Sequence, residues 1–368
     1  MVENPEQTAG PDFFRVLTQH CPNHGLASPA PFLVTPSDSP RCFRVTVIGD
    51  ARIDILTALS QRRFTELSSD HHETTTITPH VGGTAMSFAE AAVAHFAEVR
   101  VMAAVGDDSW TNDIESTCAE LGIVACLDRV PGVANAMVVI VRDAGVPDAP
   151  LGVRLLVAQA PSPYDHLEEE LVRRFDTMIA DADALVIDGY AMLSEHSAAA
   201  VEVATRIAHA AGVPICFDLV PHHIDAQLAW DDLLPIMTRS SLLIAEVPTL
   251  ARLLGRTDLA GDTLADALAV AKLLPASVAG PRRTWFLRFG VGLMDETLAI
   301  STDHHQVMYH TGYQSATHAA GYGYRVAAAE LKWWLTNAAT APGMAPILAK
   351  VGHVNISPEV VNAIPGRR

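Results

Sequence analysis

Long apolar runs are missing from this 368-residue chain. None reaches the roughly 18 residues that cross a bilayer, so no transmembrane helix is predicted. Basic residues are scarce: 25 Lys and Arg face 42 Asp and Glu, a formal net charge of -17. That balance disfavours nucleic acid as a partner, because a polyanion is repelled. Cysteines are few. Cys21, Cys42, Cys118, Cys126 and Cys216 are scattered without CxxC spacing. They are expected to be reduced thiols of a cytoplasmic protein, with no metal site. The opening MVENPEQTAGPDFF lacks a basic segment followed by an apolar one and is not expected to act as a secretory signal. Charged residues make up only 18% of the chain and hydrophobic ones 49%. Disorder is thereby excluded for most of its length, and the apolar material suffices for a large core in one large or two medium domains.

Residues 1–42 carry Pro5, Pro11, Pro22, Pro29, Pro31, Pro36 and Pro40 with no strand or helix period, and are read as an N-terminal extension. From Phe43 the pattern changes. Arg44 to Asp50 alternates and then turns apolar, as a buried strand does. Met86 to Val99 is Ala-rich and predicted helical, and Val99 to Gly106 is strand-like. Further strands are predicted at Ala184–Asp188, Val213–Asp218, Leu242–Ala245 and Trp285–Phe289. Helices are predicted at Ser194–Ala211 (Ser194 as N-cap), Leu250–Leu254 and Ala319–Leu335. Strands alternating with helices imply a doubly wound α/β fold, a mainly parallel sheet covered on both faces. Residues 74–81 and 136–158 break the rhythm. Rich in β-branched residues, they are predicted as antiparallel strands of a small β lid. The α/β domain is expected to span 43–352, with a C-terminal tail at 353–368.

Six segments in order carry a resemblance. They are Val45–Asp54 (VTVIGDARID), Gly82-Gly83 before an Ala-rich helix, Ala104 to Asp108 (AVGDD), Phe217-Asp218 with Trp230 downstream, Leu287–Gly292 (LRFGVG), and Ala316–Tyr324 (ATHAAGYGY). Over about residues 43–340 their order resembles the ribokinase-like (PfkB) family of sugar and nucleoside kinases. The resemblance implies a ribokinase-like fold, ATP and magnesium as cofactors, a sugar- or nucleoside-like ligand, and homodimerisation through the lid. It places Asp54, Gly82, Gly83 and Ser87 at the ligand hydroxyls, and Gly290, Gly321, Gly323 and Glu246 at the nucleotide and its phosphates. In such a family a glycine turn at a helix N-terminus holds the developing phosphate charge, and an Asp in that turn takes the acceptor proton.

The chain departs from that pattern at the chemistry. The position of the catalytic Asp falls on Tyr322. No aspartate follows Asp303, and the later carboxylates are Glu330, Glu359 and the C-terminus. Ala316, His318 and Ala319 replace the family's Asp, Thr and Gly. The N-x-x-E segment falls on Glu246-Val247-Pro248-Thr249, without its final Glu. Ser87 stands for Asn, and Thr111 for Gly. A phenol with a pKa near 10 is a weak base at neutral pH.

Tyr322 is thus read as a proton donor, a stacking platform or the filler of an emptied phosphate site, and His318 as an acid or base or a solvent-facing turn residue. Asp54 either binds a ligand hydroxyl or caps a strand end, and Gly82-Gly83 either admits a ligand or makes a plain turn. Arg325 either attracts an anion or lies on a solvated face. The pairs His71-His72, His222-His223 and His304-His305 are expected in loops. Phe88, Phe96 and Trp110 are expected in the core, with one of Trp333 and Trp334 buried and the other partly exposed.

Three functions follow: a pseudokinase that binds a small hydroxylated ligand, a repurposed ATP-independent enzyme, or an active ATP-dependent kinase with a substitute base. For the last, Asp54, Asp188 and Asp218 are the candidates.

Overall fold

The computed structural model describes residues 41–59, 62–144, 152–219, 224–280, 283–290, 296–302, 304–310, 321–338, 344–351 and 354–356. Strand β1 (Arg44–Ile48) is buried on both sides. It lies in a ten-stranded sheet, paired in parallel with β4 (Glu98–Val105) and β8 (Ala184–Asp188). Outside β4 lies β5 (Val124–Arg129). Outside β8 come β9 (Ile215–Asp218), β10 (Leu242–Glu246) and β11 (Thr284–Phe289), all parallel. The far edge turns antiparallel through β12 (Glu296–Ser301) and β13 (His304–His310), and β14 (Val354–Ile356) adds to β13 in parallel.

Strand alternation sends successive side chains into two cores. Val45, Val47, Ala184, Val186 and Phe286 pack on one face beneath α1 (Thr84–Ala92), α9 (Tyr322–Ala338) and α10 (Ala345–Val351). Ile48, Leu185, Ile187, Trp285 and Leu287 pack on the other, beneath α5 (Glu195–Ala211), α6 (Trp230–Arg239), α7 (Val247–Leu253) and α8 (Leu264–Ala271). Between β4 and β5 runs α2 (Trp110–Leu121), and two short helices, α3 (Glu169–Arg174) and α4 (Asp176–Ala180), precede β8. Ser194 caps α5 as expected, accepting from the Ser197 N–H, and Gly212 closes it in the left-handed region at φ 72°.

The lid is a separate four-stranded sheet in the order β3 (Thr78–Gly82), β2 (Arg52–Ala58), β6 (Met137–Arg142), β7 (Arg154–Ala158). It differs from the expectation in two ways. Residues 45–54 are not one strand: the chain leaves the main sheet after Ile48, and Asp54 lies inside lid strand β2. The lid is also mixed, because β2 and β6 run parallel while the outer pairs are antiparallel.

Other readings are corrected. Helix α1 stops at Ala92 because Glu98 already opens β4, so it does not reach Val99. Trp333 and Trp334 are both buried: the first meets Phe286 edge-on at 6.1 Å, and the second donates its indole N–H to Thr284 Oγ1 at 3.0 Å. Arg325 is 9% exposed, not on a solvated face. Trp110 is half-buried. His304 and His305 lie on strand β13 rather than in a loop. Cys118, Cys126 and Cys216 are free and buried, but Cys42 is disulfide-bonded to a partner outside the described residues. That bond removes the reduced-thiol argument for a cytoplasmic location. No described helix is long and apolar enough to cross a membrane.

Candidate functional site

In the strand order, β1 leads outward to β4 on one side, and its neighbour β8 leads outward to β9 on the other. Such a switch point opens a crevice beyond the carboxyl ends of the strands, where open α/β sheets bind ligands. Around that crevice the chain delivers Asp50 just past β1, Asp188 at the end of β8, Asp218 at the end of β9 and Glu246 at the end of β10.

Asp50, Arg52 and Asp54 form one array. Arg52 Nη1 donates to Asp50 Oδ2 at 2.8 Å, and its Nε to Asp54 Oδ1 at 2.9 Å. Burial works against the Arg52 charge, but the two carboxylates more than offset it and raise its pKa. Asp50 is 5% exposed, and its Oδ1 has no hydrogen-bond partner. Burial raises its pKa despite Arg52.

Gly82 pairs with Arg52 across the lid, and a Cβ on it would lie 2.2 Å from Asp54 Oδ2. Gly83 is the N-cap of α1 at φ 93°, and a Cβ there would lie 2.3 Å from the Asp50 carbonyl. Positive φ and backbone contact together restrict the position to glycine. The Asp50 carbonyl in turn accepts the Ala85 N–H at 3.2 Å. The turn and the helix start are thereby locked to the end of β1. Ser87, half-buried, follows one turn later.

Asp188 closes this floor. It accepts from Thr84 Oγ1 at 2.5 Å and from the Ala191 N–H at 3.2 Å. Burial pushes its pKa up to about 7; the Thr84 hydrogen bond pulls it down and Asp50 pushes it further up. The folded pKa thus stands above the ordinary 3.8, so the folded protein binds the proton more tightly than the unfolded chain. The stability this provides is fully present below about pH 4 and is lost as pH rises through 7. Between pH 5 and pH 8 the wild type is expected to lose about 2–3 kcal/mol relative to Asp188→Asn. Denaturant midpoints of both proteins at the two pH values check this, and parallel pH slopes would sink it.

A second group gathers at α9. Gly321 takes φ 78° just before the helix, Tyr322 opens it, and Gly323 is exposed in its first turn. Gly290, at φ 70°, follows β11 and donates to the Asp262 carbonyl at 3.1 Å. Arg288 of β11 reaches under the helix start: its Nη1 would lie 3.3 Å from a Cβ on Gly323. The same guanidinium pairs with Glu330 at 2.8 Å. Glu330 is fully buried and also accepts from Thr297 at 3.3 Å. Burial opposes the Arg288 charge, while Glu330 and Asp218 hold it on.

Tyr324 joins the two groups. Burial raises its pKa first, and it lies within electrostatic reach of Asp218, Asp188 and Arg52. His318, Ala316, Ala319 and the pair His222-His223 lie outside the described residues. Among the described residues no cluster of three His, Cys, Asp or Glu is arranged to hold a metal.

Sequence reasoning missed Asp50, Arg52, Tyr324 and Arg288. The alternation Asp50-x-Arg52-x-Asp54 was the available signal. It places three charges at every second residue of an extended segment, and hence on one side. The AVGDD segment is a clasp. Asn135 accepts from the Gly106 N–H at 2.9 Å and donates to Asp108 at 2.6 Å and to Thr111 at 2.8 Å.

Residues 43–279 match the pfkB family carbohydrate kinase, a stretch that ends before Gly290 and α9. No curated protein sequence matches the chain. Among solved structures, the chain is similar to ribokinase from Giardia lamblia, with 16% identity and a TM-score of 0.63 over 84% of this chain and 90% of that one. It is similar to fructokinase from Xylella fastidiosa, with 18% identity and a TM-score of 0.60 over 84% and 86%. It is also similar to adenosine kinase from Sinorhizobium meliloti, with 15% identity and a TM-score of 0.60 over 80% and 88%. At these identities the likeness concerns the fold. The sequence match spans well over half the chain and covers the lid, the glycine turn and the switch point, so the chain belongs to the pfkB family of carbohydrate kinases.

Proposed function

We propose that the protein binds a small hydroxylated ligand, of sugar or nucleoside type, between the lid and the carboxyl edge of the main sheet. In this reading it does so without the usual phosphoryl-transfer base, as a pseudokinase or an ATP-independent enzyme. The Asp50–Arg52–Asp54 array carries the ligand reading. A guanidinium holds two carboxylates beside a Cβ-free turn, and carboxylate oxygens accept hydrogen bonds from hydroxyls strongly. Asp54, Gly82, Gly83 and Ser87 take the ligand in this reading.

The absence of the usual base rests on Tyr322 opening α9 where the resemblance puts an Asp. Losing a general base costs about 10²–10⁴ in rate. Glu330 is no replacement, since it is buried and committed to Arg288 and Thr297. Among the described residues, the segment from Glu246 to Thr249 does not fit magnesium. Thr249 stands where the family's Glu would be, is buried, and accepts from Arg252 at 3.3 Å, which leaves Glu246 as the carboxylate of that segment. The start of α9 suits an anion better, with Gly321 and Gly323 at a helix N-terminus and the Arg288 cation beneath.

One observation favours a second reading, the active ATP-dependent kinase with a substitute base. The Asp188 carboxyl, pushed up to about 7, sits in the range that suits a general base at neutral pH. A homodimer through the lid is proposed as well, supported by exposed Leu155 and Val157 on β7.

The test is calorimetric titration with Mg-ATP, ADP and AMP-PNP and with a panel of sugars and nucleosides, followed by assays of turnover. We expect a sugar or nucleoside to bind without phosphorylation, and Tyr322→Asp to raise any turnover. Ligand-dependent ATP consumption by the wild type that Asp188→Asn abolishes would instead establish the second reading.

A further inference from the structure

The lid has a second face. Arg52 and Asp54 share one side of the β2–β3 pair with Gly82 and His80, and Ile53 and Ile55 share the other with Val81 and Pro79. On that second side the lid packs against α2 and leaves a cavity of about 330 Å³. This is the lower end of the size range of small-molecule sites. Its lid wall is apolar: Ile53, Val81 and the Pro79 ring, with His80 at the rim. Its helix wall is Trp110, Asp113 and Thr117. These fall at i, i+3 and i+7, on one face of α2.

Two features define what this space takes. Trp110 is half-buried and offers an indole opposite Pro79 and the aliphatic side chains, a setting for a flat apolar body. Asp113 is exposed, and its carboxylate makes no hydrogen bond or ion pair among the described residues. A carboxylate next to an indole favours a cation twice, through charge and through the ring face. The net charge of -17 adds a field that draws cations and repels phosphorylated compounds.

We propose that the cavity between the lid and α2 is a binding site for a small organic cation with an aromatic body, of the arylalkylamine class. The ring lies against Trp110, Pro79 and Val81, and the ammonium meets Asp113. The site stands back to back with the Asp50–Arg52–Asp54 array, with the β2–β3 pair between them, and it does not depend on what the array binds.

The experiment is calorimetry on the full chain with three probes of one shape: 2-phenylethylamine, 2-phenylethanol and 3-phenylpropionate. The amine is expected to bind about 5–10-fold more tightly than the alcohol, the gain of one partly exposed charge contact. The carboxylate is expected not to bind. Asp113→Asn should erase the preference for amine over alcohol while leaving the melting temperature unchanged, since the residue is exposed. Trp110→Leu should weaken amine and alcohol alike. Asp54→Asn should leave amine binding unchanged, which separates this site from the array. Equal binding of amine and alcohol, undiminished preference in Asp113→Asn, loss of amine binding in Asp54→Asn, or no binding of any probe would each overturn the proposal.

Discussion

Glu330→Ala is expected to destabilise the protein by about 3–5 kcal/mol, because it strands a charged guanidinium in the interior. Glu330 is fully buried and the Arg288 side chain is 13% exposed. Arg288 Nε has no partner, so the carboxylate supplies the principal compensation for the buried cation. The pair also ties the end of β11 to the body of α9, so the start of that helix should loosen with it. Replacing both residues, as Arg288→Met with Glu330→Leu, should recover most of the loss, since a buried pair exchanged for packed apolar groups is often neutral. Denaturant melts of the single and double variants decide this. A single variant within 1 kcal/mol of wild type would mean that water reaches the pair (a typical exposed pair contributes about 0–1 kcal/mol).

Arg52→Met is expected to have the largest effect on the ligand. It removes the shared counter-ion of two carboxylates, one of them 5% exposed. A loss of roughly 2–4 kcal/mol in stability should follow, together with a fall of about 100-fold in affinity for whichever sugar or nucleoside the wild type binds. Arg52→Lys should fall between, because an ammonium cannot reproduce the fork that spans Asp50 and Asp54. The deficit of Arg52→Met should shrink as pH falls, starting above the ordinary carboxylate range, because burial already raises the Asp50 pKa and losing Arg52 raises it further, and a protonated Asp50 needs no counter-ion. Melts at pH 4 and pH 8 with a parallel titration test both halves. An Arg52→Met protein with unchanged affinity would remove the array from the binding site.

Where one kind of environment dictated the residues, the chain was readable from its letters. Ala184–Asp188 is a strand at the very residues expected, because a parallel strand between two helical layers must be apolar on both sides. Ser194 was legible as a cap because a helix start leaves N–H groups that a short hydroxyl side chain satisfies locally. The Gly82-Gly83 turn was visible too, and φ 93° at Gly83 with the Asp50 carbonyl 2.3 Å from its would-be Cβ gives the reason its second residue is glycine.

Misreadings arose where partners are distant in sequence. Asp54 was placed at the end of β1 because the apolar run continues into it, yet the run is divided between two sheets. One of Trp333 and Trp334 was expected to be partly exposed, yet the sheet beneath α9 takes both, through Phe286 and Thr284, and of the two readings of Arg325 the solvated face fails because the residue is 9% exposed. Glu330 was counted as a leftover carboxylate, and its partner Arg288 lies 42 residues away.

Composition, strand–helix rhythm and motif order therefore sufficed for the doubly wound fold, the lid and the family, since each depends on local pattern and on burial averaged over a segment. Which carboxylates are charged, which are paired and which face the crevice was decided by the tertiary structure. Those properties depend on distances of a few ångströms between strand ends that the fold alone brings together, and on the water it excludes from between them.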